Sequence, residues 1–158
     1  MPARDPIQIR AYAPAADHDA VMALAPRLTE GMPPWRDQAA SLTAVQSWVR
    51  DSAGSASQPG HAMYVAVAAD QVVGFVSVAE RTHFTGQVDA YVGELVTATG
   101  MERRGIARAL MAAAEAWGAS RGLRCLTLET GAANQTARSF YAALGYLAED
   151  VRLTKEIS

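Results

Sequence analysis

The fold is indicated by the stretch LVTATGMERRGIARAL, residues 95–110, where an apolar strand passes through a short loop into a helix. Gly100 and Gly105 lie in the loop, and Ile106 and Leu110 begin an apolar repeat with helical spacing. The first N–H groups of a helix lack intrahelical partners and lie at the positive end of its dipole. The loop is therefore predicted to bind a phosphate or a diphosphate.

Cationic side chains support this prediction. Arg103, Arg104 and Arg108 add positive charge, and Ala107 leaves room for a diphosphate against the turn. The stretch is not a nucleotide P-loop, because Gly-Lys-Ser/Thr is absent, and its two glycines do not form GxGxxG. Taken alone, it is equally compatible with an ordinary strand-to-helix loop that carries a solvated basic patch.

The hydrophobic pattern on both sides of the loop predicts alternating strands and helices. The predicted strands are residues 7–10, 63–68, 72–78, 88–97, 124–129, 146–147 and 151–156, with a hairpin turn at residues 69–71. The predicted helices begin at Asp17, at a Ser41 or Thr43 cap, at Ile106, and at Thr136, the last running to Leu144. The long helix that joins strands 88–97 and 124–129 favours a parallel pair inside a mixed sheet.

Composition excludes several functions. The chain has 158 residues, 50% of them hydrophobic, which fits one domain over residues 1–158. Arg4 and Asp5 do not suit a secretory signal, and no apolar run approaches the ~20 residues of a membrane span, so a cytoplasmic protein is expected. A net charge of -2 argues against nucleic acid, and three scattered histidines argue against a metal. Cys125 is read as a small apolar filler in a buried strand rather than an acyl carrier.

A second motif, NQTARSFYAALGY, occupies residues 134–146, downstream of the loop segment at residues 95–110. Together they resemble the GNAT superfamily of acyl-CoA N-acyltransferases. Its later motif, Asn-x-x-Ala-x-x-Phe-Tyr-x-x-x-Gly-Phe/Tyr, is complete here at Asn134, Ala137, Phe140, Tyr141, Gly145 and Tyr146. Its diphosphate motif, Gln/Arg-x-x-Gly-x-Gly/Ala, matches at Gly105 and Ala107, whereas Glu102 stands at the first position. A carboxylate there costs affinity for a diphosphate unless it points away.

The resemblance implies an α/β fold with a mixed, mostly antiparallel twisted sheet, splayed at its central parallel pair, and about four helices on both faces. It also implies acetyl-CoA as co-substrate, with the pantetheine arm lying between the splayed strands and no metal. The residues expected to bind it are Leu95, Val96, Thr97, Glu102, Arg103, Arg104, Gly105, Ile106, Ala107, Arg108, Asn134 and Tyr141. An N–H near Val96 would polarise the thioester carbonyl.

The resemblance makes Tyr141 the proton donor to the departing thiolate; the alternative is a ring that only packs beneath the sheet. For the base we expect Glu94, which strand alternation places with Val92 and opposite Leu95. Asp89 and Glu129 are the other candidates, and a purely structural Glu94 remains an alternative.

The implied reaction is acetyl transfer from acetyl-CoA to a primary amine of a small molecule, by direct attack in a ternary complex. The acceptor pocket is expected around Trp35, Arg36, Glu80, Phe84 and Tyr91, where aromatic and acidic side chains suit a cationic amine. Protein amines, a non-catalytic acyl-CoA-binding regulatory module and a ligand-free structural domain are the alternatives. No nucleic acid or membrane partner is expected, and a homodimer is left open.

Overall fold

The computed structural model describes residues 5–158, so Arg4, which entered the prediction of location, lies outside the described residues. Within them a mixed sheet has the order β1-β2-β3-β4-β5. Its strands are β1 (Gln8–Ala11), β2 (His61–Ala68), β3 (Gln71–Thr82), β4 (Val88–Thr97) and β5 (Leu126–Leu128). Neighbouring strands run antiparallel except β4 and β5, which form the predicted parallel pair.

The helices cover both faces of the sheet. They are α1 (Pro14–Leu24), a 3₁₀ helix (Ala25–Thr29), α2 (Gln38–Ser55), α3 (Ile106–Ser120) and α4 (Gln135–Ala143). Val21 of α1 and Val49 of α2 pack with Phe75 on one face. Leu110 of α3 packs with Val76 on the other. Burying each such side chain contributes roughly 1.5–3 kcal/mol, so the two clusters fix the helices on the sheet.

The tight β2–β3 hairpin confirms the predicted turn. Ala69 and Asp70 have φ values of 48° and 59°, and both lie in the left-handed region. Two such residues between antiparallel strands form the type of turn whose twist matches that of the strands. The hairpin therefore sets the register of β2 against β3.

A β-bulge interrupts β4. Val78 pairs with Val92 and Val76 pairs with Leu95, so two residues of β4, Gly93 and Glu94, lie opposite one residue of β3. Val92 and Leu95 consequently share a face, with the α3 cluster. The predicted alternation was right to place Glu94 opposite Leu95 and wrong to place Val92 with Glu94, because the extra residue reverses the pattern.

The cap of α2 also differs from the prediction. Asp37, rather than Ser41 or Thr43, caps the helix, and its Oδ1 accepts a hydrogen bond of 2.7 Å from the Ala40 N–H. Ser41 and Thr43 instead donate their hydroxyls to carbonyls four residues earlier, within the first turns of the helix. The helix thus begins several residues earlier than its apolar pattern indicates.

The end of the chain does not form the predicted strands 146–147 and 151–156. Residues 145–158 have no regular structure, and Leu147, Val151, Leu153 and Ile157 are exposed. The physical reason is the length of β5, which has three residues rather than the predicted six and offers few edge hydrogen bonds to another strand. Cys125, just before β5, is also exposed instead of buried, because no further strand among the described residues covers that edge of the sheet.

Candidate functional site

The parallel pair β4–β5 lies at one edge of the described sheet, where β5 is much shorter than β4. β4 and β5 pair at three positions, from Ala90 with Leu126 to Val92 with Leu128. Beyond them β5 ends, whereas β4 continues to Thr97 against β3. Residues 93–97 therefore have no parallel strand along the edge that faces β5, and that edge can accept an extended ligand arm as an added strand. Leu95, Val96 and Thr97, the predicted arm-binding residues, all lie on this edge.

The loop between β4 and α3 exposes backbone N–H groups. Gly100, Arg103 and Gly105 have φ values of 81°, 59° and 78°, so left-handed residues interrupt the right-handed turns. Such alternation makes a concave row of N–H groups that suits an anion. Gly105 caps α3 without a side chain, and a Cβ there would meet nothing within 4 Å, which leaves the backbone open to a ligand.

The start of α3 extends this row of donors. The first helical hydrogen bond runs from the Ala109 N–H to the Gly105 carbonyl. Ile106, Ala107 and Arg108 therefore hold the N–H groups that the helix leaves unpaired. Ile106 is buried and anchors the turn, while the Arg103 and Arg108 side chains are exposed beside it. Arg104 is half-buried, with one guanidinium nitrogen 3.1 Å from Met101 Sδ.

Glu102, which departs from the motif, is neutralised by a residue that sequence reasoning missed. Arg27 of the 3₁₀ helix lies 3.1 Å from Glu102 Oε1 and also donates to the Thr97 carbonyl. A hydrogen bond from its own backbone N–H and the Arg27 contact hold the pKa of Glu102 below its usual value. Arg27 also pairs with Glu30. The carboxylate in the loop between β4 and α3, residues 98–105, which we call the anion loop, is thus held by a guanidinium.

Tyr141, the predicted proton donor, lies on α4. Its ring packs edge-on against Phe140 and Tyr146, with centroids 5.1 and 5.7 Å apart. Burial raises the pKa of Tyr141 to about 12, so the hydroxyl keeps its proton at neutral pH. Among residues 5–158 nothing accepts or donates a hydrogen bond at this hydroxyl, whereas the Tyr146 hydroxyl donates to Glu115 Oε1 at 2.8 Å. The Tyr141 hydroxyl is therefore available to a ligand.

Glu94, the predicted base, lies in the bulge on the face that carries α2, and it is 5% exposed. Its Oε2 accepts hydrogen bonds from the Ser52 hydroxyl at 2.8 Å and from the Ser77 hydroxyl. Burial raises the pKa of Glu94, the two serine hydroxyls oppose that shift, and Asp51 adds to it. Ser52 and Ser77 were not among the predicted site residues, because only the bulge and the docking of α2 bring them to Glu94.

The other candidate bases lie in different surroundings. Asp89 is buried near the start of β4 and accepts a hydrogen bond of 2.7 Å from the Gln87 amide. Glu129 is exposed beyond β5, 3.7 Å from Arg81. Asp89 and Glu129 thus each contact another side chain near one end of a strand. Neither contacts Ser52 or Ser77, which hold Glu94.

The expected acceptor residues lie on β3, on β4, in the hairpin loop between them and in the loop before α2. Glu80 pairs with Arg121 at 2.6 Å, at the end of α3. Phe84 is 90% exposed at the tip of the β3–β4 hairpin, and Trp35 and Arg36 are exposed in the loop before α2. Tyr91 is the one on the strand of Glu94, with the Arg81 guanidinium 4.2 Å from its ring centroid. Among residues 5–158 no hydrogen bond, ion pair or ring contact joins two of these five side chains, and the pocket stays a prediction.

Asn134 caps α4, and its Oδ1 accepts a hydrogen bond of 3.2 Å from the Ala137 N–H. Its side chain packs on Gly31, where a Cβ would lie 2.8 Å from Asn134 Nδ2. The Gly31 carbonyl in turn would lie 2.5 Å from a Cβ on Gly131. The loop after the 3₁₀ helix and the loop before α4 thus touch through two glycines, and neither position has room for a larger side chain.

Among residues 5–158, no group of three or more His, Cys, Asp or Glu side chains is arranged to hold a metal ion. No helix in this part of the chain is long and apolar enough to cross a membrane.

The chain is similar to one known protein family and to several solved structures. A family model described as the acetyltransferase (GNAT) family matches residues 23–146. None of the curated protein sequences matches the chain. A solved structure of a GCN5-related N-acetyltransferase from Ralstonia eutropha JMP134 is 19% identical, with a TM-score of 0.73 over 96% of this chain and 99% of that chain.

Two other similar solved structures are a transcriptional regulator and an aminoglycoside N-acetyltransferase. A transcriptional regulator from Bacillus halodurans C-125 is 20% identical, with a TM-score of 0.71 over 96% of this chain and 100% of that chain. AAC(6')-Iy, an aminoglycoside N-acetyltransferase solved with a bisubstrate analog of CoA, is 20% identical, with a TM-score of 0.69 over 97% of this chain and 99% of that chain. At such identities the likeness shows the fold alone.

Proposed function

The chain belongs to the acetyltransferase (GNAT) family, and from that premise we propose that it transfers an acetyl group from acetyl-CoA to a primary amine of a small molecule. The observation that carries the proposal is the continuity of two open backbone surfaces. The unpaired edge of β4 at residues 93–97 leads directly into the row of N–H groups that ends at Gly105 and α3. A pantetheine arm paired with the open edge of β4 would place the diphosphate of CoA on the row of N–H groups.

The side chains supply proton transfers for direct attack. When the amine nitrogen bonds to the carbonyl carbon of a thioester, the C–S bond breaks and the sulfur leaves as a thiolate. Tyr141 carries a proton for that sulfur, because its raised pKa keeps the hydroxyl protonated. Glu94 is proposed to take the proton that the amine loses, because its raised pKa moves it towards the working pH of a general base.

A small-molecule acceptor is supported by the similar aminoglycoside N-acetyltransferase AAC(6')-Iy. The second candidate is an acyl-CoA-binding module without catalysis, which the similar transcriptional regulator from Bacillus halodurans supports. A free Tyr141 hydroxyl and a buried carboxylate favour the enzyme, because binding alone needs neither of them.

Calorimetry with CoA, combined with thiol release from acetyl-CoA in a panel of amines, tests the proposal. An acetyltransferase binds CoA and releases thiol with at least one amine beyond the rate without it. Binding of CoA with no release for any small amine or amine-bearing peptide identifies the regulatory module instead. Absence of CoA binding overturns both.

The base assignment is tested by Glu94→Gln. The amide keeps the serine hydrogen bonds but takes no proton, so kcat/KM should fall about 10²-fold.

The same variant should change the pH dependence of stability. Since the pKa of Glu94 is raised in the folded state, the folded carboxylate holds its proton more tightly than the unfolded one, and the associated stability is lost as pH rises through the folded pKa. The variant should therefore be more stable than the wild type to urea near pH 8, and equally stable near about pH 3, where both states are protonated. Unchanged turnover would assign the base elsewhere.

A further inference from the structure

Three elements meet at the Glu94 carboxylate. Ser52 comes from α2, Ser77 from β3 and Glu94 from the bulge of β4. Both serine hydroxyls donate to the same oxygen, Oε2, and Ser77 Oγ also accepts the Glu94 N–H at 3.0 Å. The hydroxyl of Ser77 is thus fixed as both donor and acceptor, which fixes the carboxylate against the strand.

The other carboxylate oxygen has a different environment. Among the described residues no hydrogen bond reaches Glu94 Oε1, and no buried side-chain oxygen or nitrogen there lacks a partner. Oε1 therefore keeps some exposure to solvent, although the residue as a whole is only 5% exposed. A carboxylate with one oxygen held and one oxygen open presents a single, oriented site for a proton.

We propose that Ser52 and Ser77 are positioning residues for the reaction: they hold Oε2 of Glu94 so that Oε1 alone takes the proton from the acceptor amine. The inference rests on the proposed function. It also links the base to α2, because Ser52 reaches Glu94 only when that helix is docked on the sheet. Undocking of α2 would therefore remove one of the two hydrogen bonds that Glu94 Oε2 accepts.

The charges around the site define its pH dependence. Asp51, next to Ser52 on α2, raises the pKa of Glu94, while the two hydroxyl bonds lower it against the larger effect of burial. On β4 the field of Glu94 reaches Tyr91, which also lies near Arg81 of β3 and Glu129 beyond β5. Loss of one hydroxyl leaves burial and Asp51 less opposed, so Glu94 holds its proton to a higher pH.

The test uses Ser52→Ala, because alanine suits a helix interior and leaves the fold intact. Ser52→Thr keeps a hydroxyl, and Ser47→Ala is a matched control on α2, where Ser47 is half-buried and has no side-chain hydrogen bond among the described residues. The readouts are the ¹³C NMR titration of the Glu94 carboxyl and the pH profile of kcat/KM, with acetyl-CoA and either kanamycin or spermidine.

In Ser52→Ala the carboxyl should titrate at higher pH, and the acid limb of the profile should move with it. The value of kcat/KM on that limb should fall about 10-fold, whereas KM for acetyl-CoA stays the same. Ser52→Thr and Ser47→Ala should match the wild type. Ser77→Ala should shift both readouts in the same direction, and Ser77→Thr should restore them.

The two possible failures are distinguishable. An active wild type whose titration and acid limb are unmoved by Ser52→Ala overturns the positioning role and leaves the proposed function intact. A wild type that releases no thiol with either amine or with the wider amine panel overturns the proposed function, and this inference with it.

Discussion

α3 and α4 each carry one of the two motifs, but they lie in different surroundings. α3 buries five residues against the sheet, among them Ile106 and Leu110. α4 buries none, and from residue 121 to 158 the chain has no fully buried residue. The motif on α4 is nevertheless complete in the sequence, whereas the motif before α3 departs from the family pattern at Glu102. The contrast shows that a ligand-binding motif reports local backbone and side-chain chemistry, whereas the stability of the fold is concentrated elsewhere.

The largest expected effect sharpens this contrast in stability. Leu110→Ala removes a fully buried side chain of α3 and should lower the free energy of unfolding by about 3 kcal/mol. Leu144→Ala, a half-buried leucine at the end of α4, should cost about 1 kcal/mol. Urea denaturation of the two variants checks the difference. Equal losses would mean that α4 is as much a part of the core as α3.

Tyr141→Phe tests the opposite side of the comparison, a loss of chemistry without a loss of stability. The kcat should fall about 10²-fold, while the free energy of unfolding stays within about 0.5 kcal/mol, because the hydroxyl makes no hydrogen bond to the described residues. With a pKa of about 12, Tyr141 should cause no alkaline loss of wild-type activity below about pH 11.

Tyr146→Phe is the matched control for Tyr141→Phe. It removes the hydrogen bond to Glu115, so it should cost about 1 kcal/mol of stability and leave kcat unchanged. A Tyr141→Phe variant with full turnover would refute the proton-donor role and leave Tyr141 as a packing residue.

The anion loop before α3 gives a smaller effect. Glu102→Gln removes a negative charge beside the proposed diphosphate site and should tighten CoA binding about threefold. Arg27→Ala should weaken it by a similar factor, because Glu102 then lacks its partner. Calorimetry with CoA at low and high salt checks this, since salt should reduce both changes.

Glu30→Gln is the control for this pair. Glu30 contacts the same guanidinium at 3.1 Å but lies outside the loop, so its replacement should change CoA binding less than Glu102→Gln. Weaker CoA binding in Glu102→Gln would show that the carboxylate itself serves the ligand.

The smallest effect is expected beyond α4. Leu153 is 89% exposed, so Leu153→Ser should change the free energy of unfolding by no more than about 0.5 kcal/mol. Thermal unfolding followed by circular dichroism measures it. A loss of about 2 kcal/mol would break the comparison, because it would mean that this segment is packed against something in solution.

Local patterns were sufficient for much of the fold. The bounds of β4 and the start of α3 at Ile106 agree with the prediction, because a long apolar run, a helical period and a terminal glycine report directly on local geometry. The strand predicted at residues 151–156 failed because alternation indicates a strand only where a partner edge exists, and β5 is too short to provide one.

The site was predictable only in part, for a related reason. Tyr141 and Glu94 were found from a motif and from strand position, and their roles remain predictions. Arg27, Ser52 and Ser77 were missed because their contacts join residues far apart in the chain, as in the pair of Arg27 with Glu102. No local spacing indicates such contacts, and the bulge in β4 was equally invisible to a period-two reading.

The Arg27–Glu102 pair makes the anion loop dependent on a segment 75 positions earlier in the chain. The loop therefore cannot be moved to another protein without the segment that carries Arg27. Transplanting residues 98–108 into another scaffold would carry the acidic side chain without its counter-charge, and grafting a glutamine-bearing loop here would leave a guanidinium with one carboxylate fewer. Redesign of the loop or of the 3₁₀ helix therefore has to change both segments together.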